Sequence, residues 1–254
     1  MGRIIVSENG SLDGVVQDPT GEEGFRLGGW FGQIGDKDRD EWAKAELDEA
    51  LRTEALLLGR RSAEYFAARW LSRTGEWADR LNSLPKYVVS STLEEPKWNN
   101  ATVLKGDVVN EVSKLKQQLD GDIVVYTTQL VRTLIEHDLV DELRLMIYPV
   151  VLGAGERLFG ETSDKKPMRL VHAQAVGDGL AFLTYERAQT PSGEAAERSQ
   201  SSCEHRGRES DPVGLVGRAT RASSSPTRDC PTSGGSSSKP SGLAPPARPH
   251  RRTR

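Results

Sequence analysis

The sequence predicts an α/β protein: three α/β/α layers built on a mostly parallel, mixed sheet, with an antiparallel hairpin at its C-terminal edge. Three observations predict it. Short aliphatic, β-branched runs (Ile4–Val6, Ala55–Leu58, Ile123–Tyr126) lack polar alternation, the mark of strands buried on both faces. Segments with apolar residues at helical spacing stand between them. Gly177-Asp178-Gly179 joins two further strand patterns, 168–176 and 180–186, as a hairpin turn would.

Taken in order, Arg3–Ser7 reads as a strand, ended by the turn formers of SENGSLDG (7–14). Val15 and Val16 start another strand piece. Residues 17–38 form a Gly- and Asp-rich loop around Trp30 and Phe31, of a length that usually has a function. Asp38 or Asp40 caps a helix to about Arg52, with Trp42, Leu47, Ala50 and Leu51 inward. Ala55–Leu58 stops at Gly59, and RRSAEYFAARW (60–70) starts a helix at once. A short helix over roughly 76–84 is ended by Pro85. Lys86–Ser90 and Ala101–Leu104 are strands, and Asp107 caps a helix to about Leu119. Residues 122–160 then read as strand, helix, strand and glycine loop. The helix opens at Thr127-Thr128 and carries the stripe Leu130, Val131, Leu134, Ile135, Leu139; the second strand spans Leu143–Leu152. Such a βαβ unit implies a right-handed crossover.

Composition divides the chain into a folded domain, 1–188, and a disordered Ser/Pro/Gly/Arg-rich tail, 189–254. Every Trp, Tyr, Phe, Ile and Met precedes residue 189, and the remainder holds too little apolar surface to offset its ordering entropy. Residues 190–254 carry 11 basic and 6 acidic side chains, which leaves 23 basic and 31 acidic in the body. An acidic body argues against nucleic-acid binding, and dispersed arginines in such a tail read as solvated. Both cysteines, Cys203 and Cys230, fall in the tail, so the body has neither a disulfide framework nor a thiolate metal site. No run approaches membrane-spanning length, and no secretory leader precedes the first strand. The expectation is a cytoplasmic protein with no membrane partner and no metal.

Three strand ends share one design, small or hydroxyl residues followed by a helix or turn: Gly59-Arg60-Arg61-Ser62, Ser90-Ser91-Thr92 and Thr127-Thr128-Gln129-Leu130. Free N–H groups at a helix start bind phosphate, and arginine grips it with paired hydrogen bonds. Ser90, Ser91 and Lys86 are candidates for one more phosphate. A GxGxxG fingerprint is missing, which disfavours a Rossmann dehydrogenase. Asp13 reads either as a turn-forming Asp-Gly or as a carboxylate that meets a substrate ring nitrogen and relays a proton. Trp30 and Phe31 read either as walls for a flat heterocycle or as a lid over the core.

SLDG (11–14), LLLGRRSAEYF (56–66), KYVVSSTL (86–93), DIVVYTTQLVRTL (122–134) and LVDELRLMIYPVVLGAGERLF (139–159) together resemble the dihydrofolate reductase-like superfamily, specifically the reductase (RibD C-terminal) domain of bacterial riboflavin-biosynthesis proteins and its stand-alone relatives. The resemblance implies an NADPH-dependent reductase, acting on a pterin-like or aminopyrimidine heterocycle, in a homodimer. It implies that Gly59, Arg60, Arg61 and Ser62 meet the cofactor phosphates. Ser90, Ser91 and Thr92 would lie near the 2′-phosphate, with Thr127, Thr128, Gln129 and Leu130 under the pyrophosphate and nicotinamide. Asp13 and Gly14 would border nicotinamide and substrate. Two departures stand out. Threonines occupy 127–128, where the family usually has glycine, and the acid of the first helix is Asp40, Glu41 or Glu46. The departures leave open an alternative: a nucleotide- or metabolite-binding protein without turnover.

Overall fold

The structure, a computed structural model, describes residues 1–126 and 128–188. Thr127 and the expected disordered tail, 189–254, lie outside the described residues. Eight strands form one sheet: β1 (Arg3–Ser11), β2 (Thr53–Gly59), β3 (Lys86–Val89), β4 (Ala101–Leu104), β5 (Asp122–Val125), β6 (Glu142–Tyr148), β7 (Met168–Val176) and β8 (Leu180–Arg187). Their order is β4-β3-β2-β5-β1-β6-β8-β7. Neighbours among β1–β6 pair in parallel, while β8 runs antiparallel to both β6 and β7. The mixed sheet and its C-terminal antiparallel pair are those the sequence predicts.

Helices α1 (Asp36–Arg52), α2 (Arg60–Trp70), α3 (Glu76–Ser83), α4 (Val108–Gln118) and α5 (Thr128–Glu136) cover both faces. Strand alternation divides the core between them. Ile4, Val6, Leu57, Ile123 and Val125 pack with Val112 and Leu115 of α4 and Val131 and Leu134 of α5. Ile5, Leu56, Leu58 and Val124 pack with Ala50 of α1, Ala63 and Ala67 of α2 and Leu81 of α3. Residues of both parities are therefore apolar, which is why these strands read as continuous runs.

Four local expectations change. β1 does not end at Ser7. Its ladder with β6 continues from Ser7–Arg144 to Ser11–Tyr148, and this long-range pairing overrides the turn preference of Asn9 and Gly10. β6 stops at Tyr148 because Pro149 has no N–H to continue it. Val15 belongs to no strand and makes a single bridge to Arg157. α1 starts at Asp36 with no side-chain cap, and it buries Glu49 while leaving Leu51 47% exposed.

Asp38 does other work. Its Oδ1 accepts the N–H groups of Asp178 (2.5 Å) and Gly179 (3.2 Å), pinning the β7–β8 turn to α1. Gly177 sits there at φ 64°, and a Cβ on it would stand 2.1 Å from that Oδ1, so only glycine lets turn and helix meet.

Candidate active site

The parallel strands end on one rim. Register places the ends of β3, β2 and β5 side by side, through Leu58–Val88 and Leu57–Val125, with β1 next at Val6–Val125. α2 leaves β2 toward one face and α5 leaves β5 toward the other, which opens a crevice at this rim. Among the described residues the β1–β5 ladder stops at Val6–Val125, whereas β1 continues to Ser11. The edge of β1 beyond Val6 thus walls a notch beside the start of α5.

The residues read from the sequence as phosphate contacts stand along this rim. Gly59 is extended and offers no side chain to α2, so the first-turn N–H groups of that helix have no side-chain cap. Arg60 ties two segments together: Nε donates to Glu64 Oε1 (2.9 Å) and Nη1 to Thr92 Oγ1 (2.9 Å). Ser90 Oγ accepts the N–H groups of Thr92 (3.2 Å) and Leu93 (3.0 Å), shaping the turn after β3. Ser91 and Thr92 are respectively exposed on that turn, and Ser62 is half-buried in the first turn of α2. Arg61 is 82% exposed and faces Glu23 of the 17–29 loop at 3.6 Å. At the start of α5, Thr128 is half-buried, Gln129 exposed and Leu130 buried in the core. Lys86 lies elsewhere, at the opposite end of β3. It is 1% exposed, donates to Leu84 O (2.7 Å) and Asn82 O (3.0 Å), and stands 4.6 Å over the Trp98 ring. Burial pulls its ammonium down to about 8.

Asp13 and Gly14 follow β1 at the same end. Gly14 takes φ 78°, as the turn reading requires. The Asp13 carboxylate is occupied: Oδ1 accepts from Ser11 Oγ (2.7 Å) and Leu152 N (3.1 Å), Oδ2 from Gly153 N (2.8 Å). These hydrogen bonds, led by that of Ser11, hold its carboxyl down to about 2, so it is a poor proton donor and a firm anchor for the 149–153 loop. Trp30 is fully buried, with Nε1 donating to Gln17 O at 3.0 Å, and offers no free wall. Phe31 is half-buried and stacks at 4.8 Å on Tyr148. Both aromatics follow the lid reading.

Among the three acids of the first helix, desolvation singles out the half-buried Glu46. Asp40 is exposed, and Glu41 pairs with Lys44 at 2.7 Å. Burial and the Glu49 charge push the Glu46 carboxyl up to about 8, offset in part by hydrogen bonds with Asn9 and Trp42, and the charge of Glu8 adds to the rise. Asn9 brings β1 into this slot, its Oδ1 accepting from Trp42 Nε1 at 2.9 Å. Beneath it lies a polar layer with no sequence signature. Tyr126 donates to Glu49 Oε1 (2.8 Å), and Arg144 reaches Glu49 (3.1 Å), Asp122 (3.1 Å) and Glu142 (2.6 Å). Burial raises the Tyr126 hydroxyl well above its usual range, and the nearby carboxylates add to the effect. Glu8, on β1, was also missed; it sits among turn-forming residues that hide its strand position.

Known proteins bear on this arrangement. YyaP, an uncharacterized protein of Bacillus subtilis (strain 168), is 36% identical over 106 residues, which are 41% of this chain and 56% of YyaP. The match therefore spans little more than half the length of that relative. A solved structure of a protein assigned to riboflavin biosynthesis, from Shewanella sp. PV-4, aligns with TM-score 0.60 at 22% identity, over 74% of this chain and 99% of the other. A pyrimidine reductase-like protein of Corynebacterium diphtheriae aligns with TM-score 0.48 at 16% identity, over 74% and 92%. The family model described as the RibD C-terminal domain matches residues 3–182, and the chain belongs to that family.

Proposed function

We propose that this chain is an NADPH-dependent reductase of a small heterocycle, pterin-like or of the 5-amino-6-(5-phosphoribosylamino)uracil type, working as a homodimer in the cytoplasm. One observation carries the reading: the uncapped start of α2, Arg60 and the 90–92 turn meet on the rim of adjacent parallel strands. The donors present fit a phosphate-bearing dinucleotide. Gly59–Ser62 would hold the pyrophosphate with Thr127–Leu130, and Ser90–Thr92 the 2′-phosphate. Bound NADPH supplies the hydride. The chain orients the acceptor: Trp42 and Asn9 line the slot, and Glu46 gives its proton to the ring nitrogen or oxygen as the adjoining carbon is reduced. Asp13 is a positioning residue that fixes the 149–153 loop.

Titrating the full chain with NADPH and NADH, followed by tryptophan fluorescence, tests the cofactor half. Tighter binding of NADPH is expected, and loss of reduced-nicotinamide absorbance with an aminopyrimidine or pterin completes the case. Failure of both dinucleotides to bind overturns the reading. Binding without turnover over both substrate classes would favour the alternative of a metabolite-binding protein, for which threonine in place of glycine at 127–128 is the supporting observation.

A further inference from the structure

Glu8 has no part in the chemistry above. Alternation fixes its side. Asn9 faces α1, where it bonds Trp42, so Glu8 turns to the α5 face, as does Val6, which packs with Val131 and Leu134. It lies beyond Val6–Val125, the last described rung between β1 and β5, on the α5 side of that notch. Among the described residues its one hydrogen bond is from the Asn9 N–H, at a long 3.3 Å. Burial pushes the carboxyl up to about 8, so it keeps its proton at neutral pH. The titratable group of α1 that senses Glu8 is Glu46. The first turn of α5 (Thr128–Val131) and Leu145, its partner on β6, bring none.

A neutral carboxyl presents an O–H donor and a carbonyl acceptor side by side in one plane. A primary carboxamide presents the complementary pair, C=O and N–H, at the same spacing. We propose that Glu8 holds the carboxamide of the nicotinamide ring through two such hydrogen bonds and thereby selects the redox end of the dinucleotide. The inference rests on the dinucleotide reading. It adds that the α5 side of the notch takes the nicotinamide, and the α1 side takes the heterocycle.

The test compares NADP⁺, its 3-acetylpyridine analogue and 2′,5′-ADP on the full chain and on its Glu8→Leu and Glu8→Gln variants. The acetyl group keeps the carbonyl and lacks the N–H donors; 2′,5′-ADP lacks the ring altogether. Glu8→Leu should weaken NADP⁺ roughly 30-fold, the equivalent of two hydrogen bonds, and leave 2′,5′-ADP unchanged. Glu8→Gln, whose amide pairs equally well, should stay within about 3-fold of the parent, and its 2′,5′-ADP affinity reports that it is folded. In the parent chain the preference for NADP⁺ over the acetyl analogue should grow as pH rises through about 8, where Glu8 loses its O–H donor and keeps only acceptors for the carboxamide N–H, and in Glu8→Gln it should stay flat. Equal effects of Glu8→Leu on NADP⁺ and 2′,5′-ADP, or none on either, overturn the assignment. If the parent binds 2′,5′-ADP but gains nothing from the nicotinamide, Glu8 is refuted while the phosphate site stands. If it binds neither ligand, the dinucleotide reading itself fails.

Discussion

The basic lip along α2 and the acid-lined slot under β1 open on the same rim and follow opposite electrostatic plans. At the lip, Arg60 is 50% and Arg61 82% exposed, each beside a glutamate, so their charges are screened and exchangeable. Under β1, Glu46 on the α1 side and Glu8 on the α5 side are half-buried, and desolvation lifts both carboxyls to about 8. Under the proposed function this is a division of labour: solvated charge to capture an anion, and desolvated acids to handle a ring. The slot therefore reports through turnover and pH, the lip through affinity and salt.

The largest effect is expected in the slot. Glu46→Gln removes the proposed proton donor, so turnover should fall about 100-fold or more while NADPH affinity stays within about 2-fold. Stopped-flow and titration data on one preparation check both. Parent turnover should also fall as pH rises through about 8, where Glu46 deprotonates.

Stability gives the second contrast. Glu8 and Glu46 each have a folded pKa of about 8 against an ordinary 4.5. The folded chain thus binds more protons between those values. Their contribution is whole below pH 4.5 and declines as pH rises toward about 8, on the order of 1 kcal/mol per unit for each acid. Urea melts of the parent should show this slope, and the Glu8→Gln/Glu46→Gln double variant should flatten it.

At the lip, Arg60→Ala should weaken 2′,5′-ADP about 10-fold and Arg61→Ala about 3-fold, both losses shrinking in high salt. Lys86→Met, at the far end of β3, should leave that affinity within about 2-fold. An equal loss in Lys86→Met would break the lip–slot contrast, since that amine faces Trp98 and not the rim.

The smallest effect joins the two regions. Asp13→Asn weakens the grip on the Leu152 and Gly153 N–H groups and should lower the melting temperature modestly at neutral pH. Asp13 has its carboxyl held to about 2 from 3.8, so its contribution is present above pH 3.8 and lost as pH falls toward 2. The gap between parent and variant should close over that window.

Much of this architecture was legible in the sequence where the cause was local. The β2–α2 junction at Gly59, the Asp107 cap and the 177–179 turn are set by residues within a few positions of one another. What was not legible depends on distant partners. β1 runs past its own turn formers because β6, more than a hundred residues later, pairs with it. Glu49 reads as a solvated helix residue and is buried because Tyr126 and Arg144 satisfy both its oxygens. Asp13 was singled out as a turn residue near the site, but the backbone N–H groups it holds belong to another loop. The choice of Glu46 over Asp40 and Glu41 needed the rotation of α1, which spacing alone does not fix.

The early stop of β5 has an evolutionary corollary. Register errors in a sheet are costly because every rung shifts with them, but the chain after Val125 shares no described rung with β1. Residues can be gained or dropped there without moving a strand. Descendants of this gene are free to change length at that one junction while the sheet beneath is inherited unaltered.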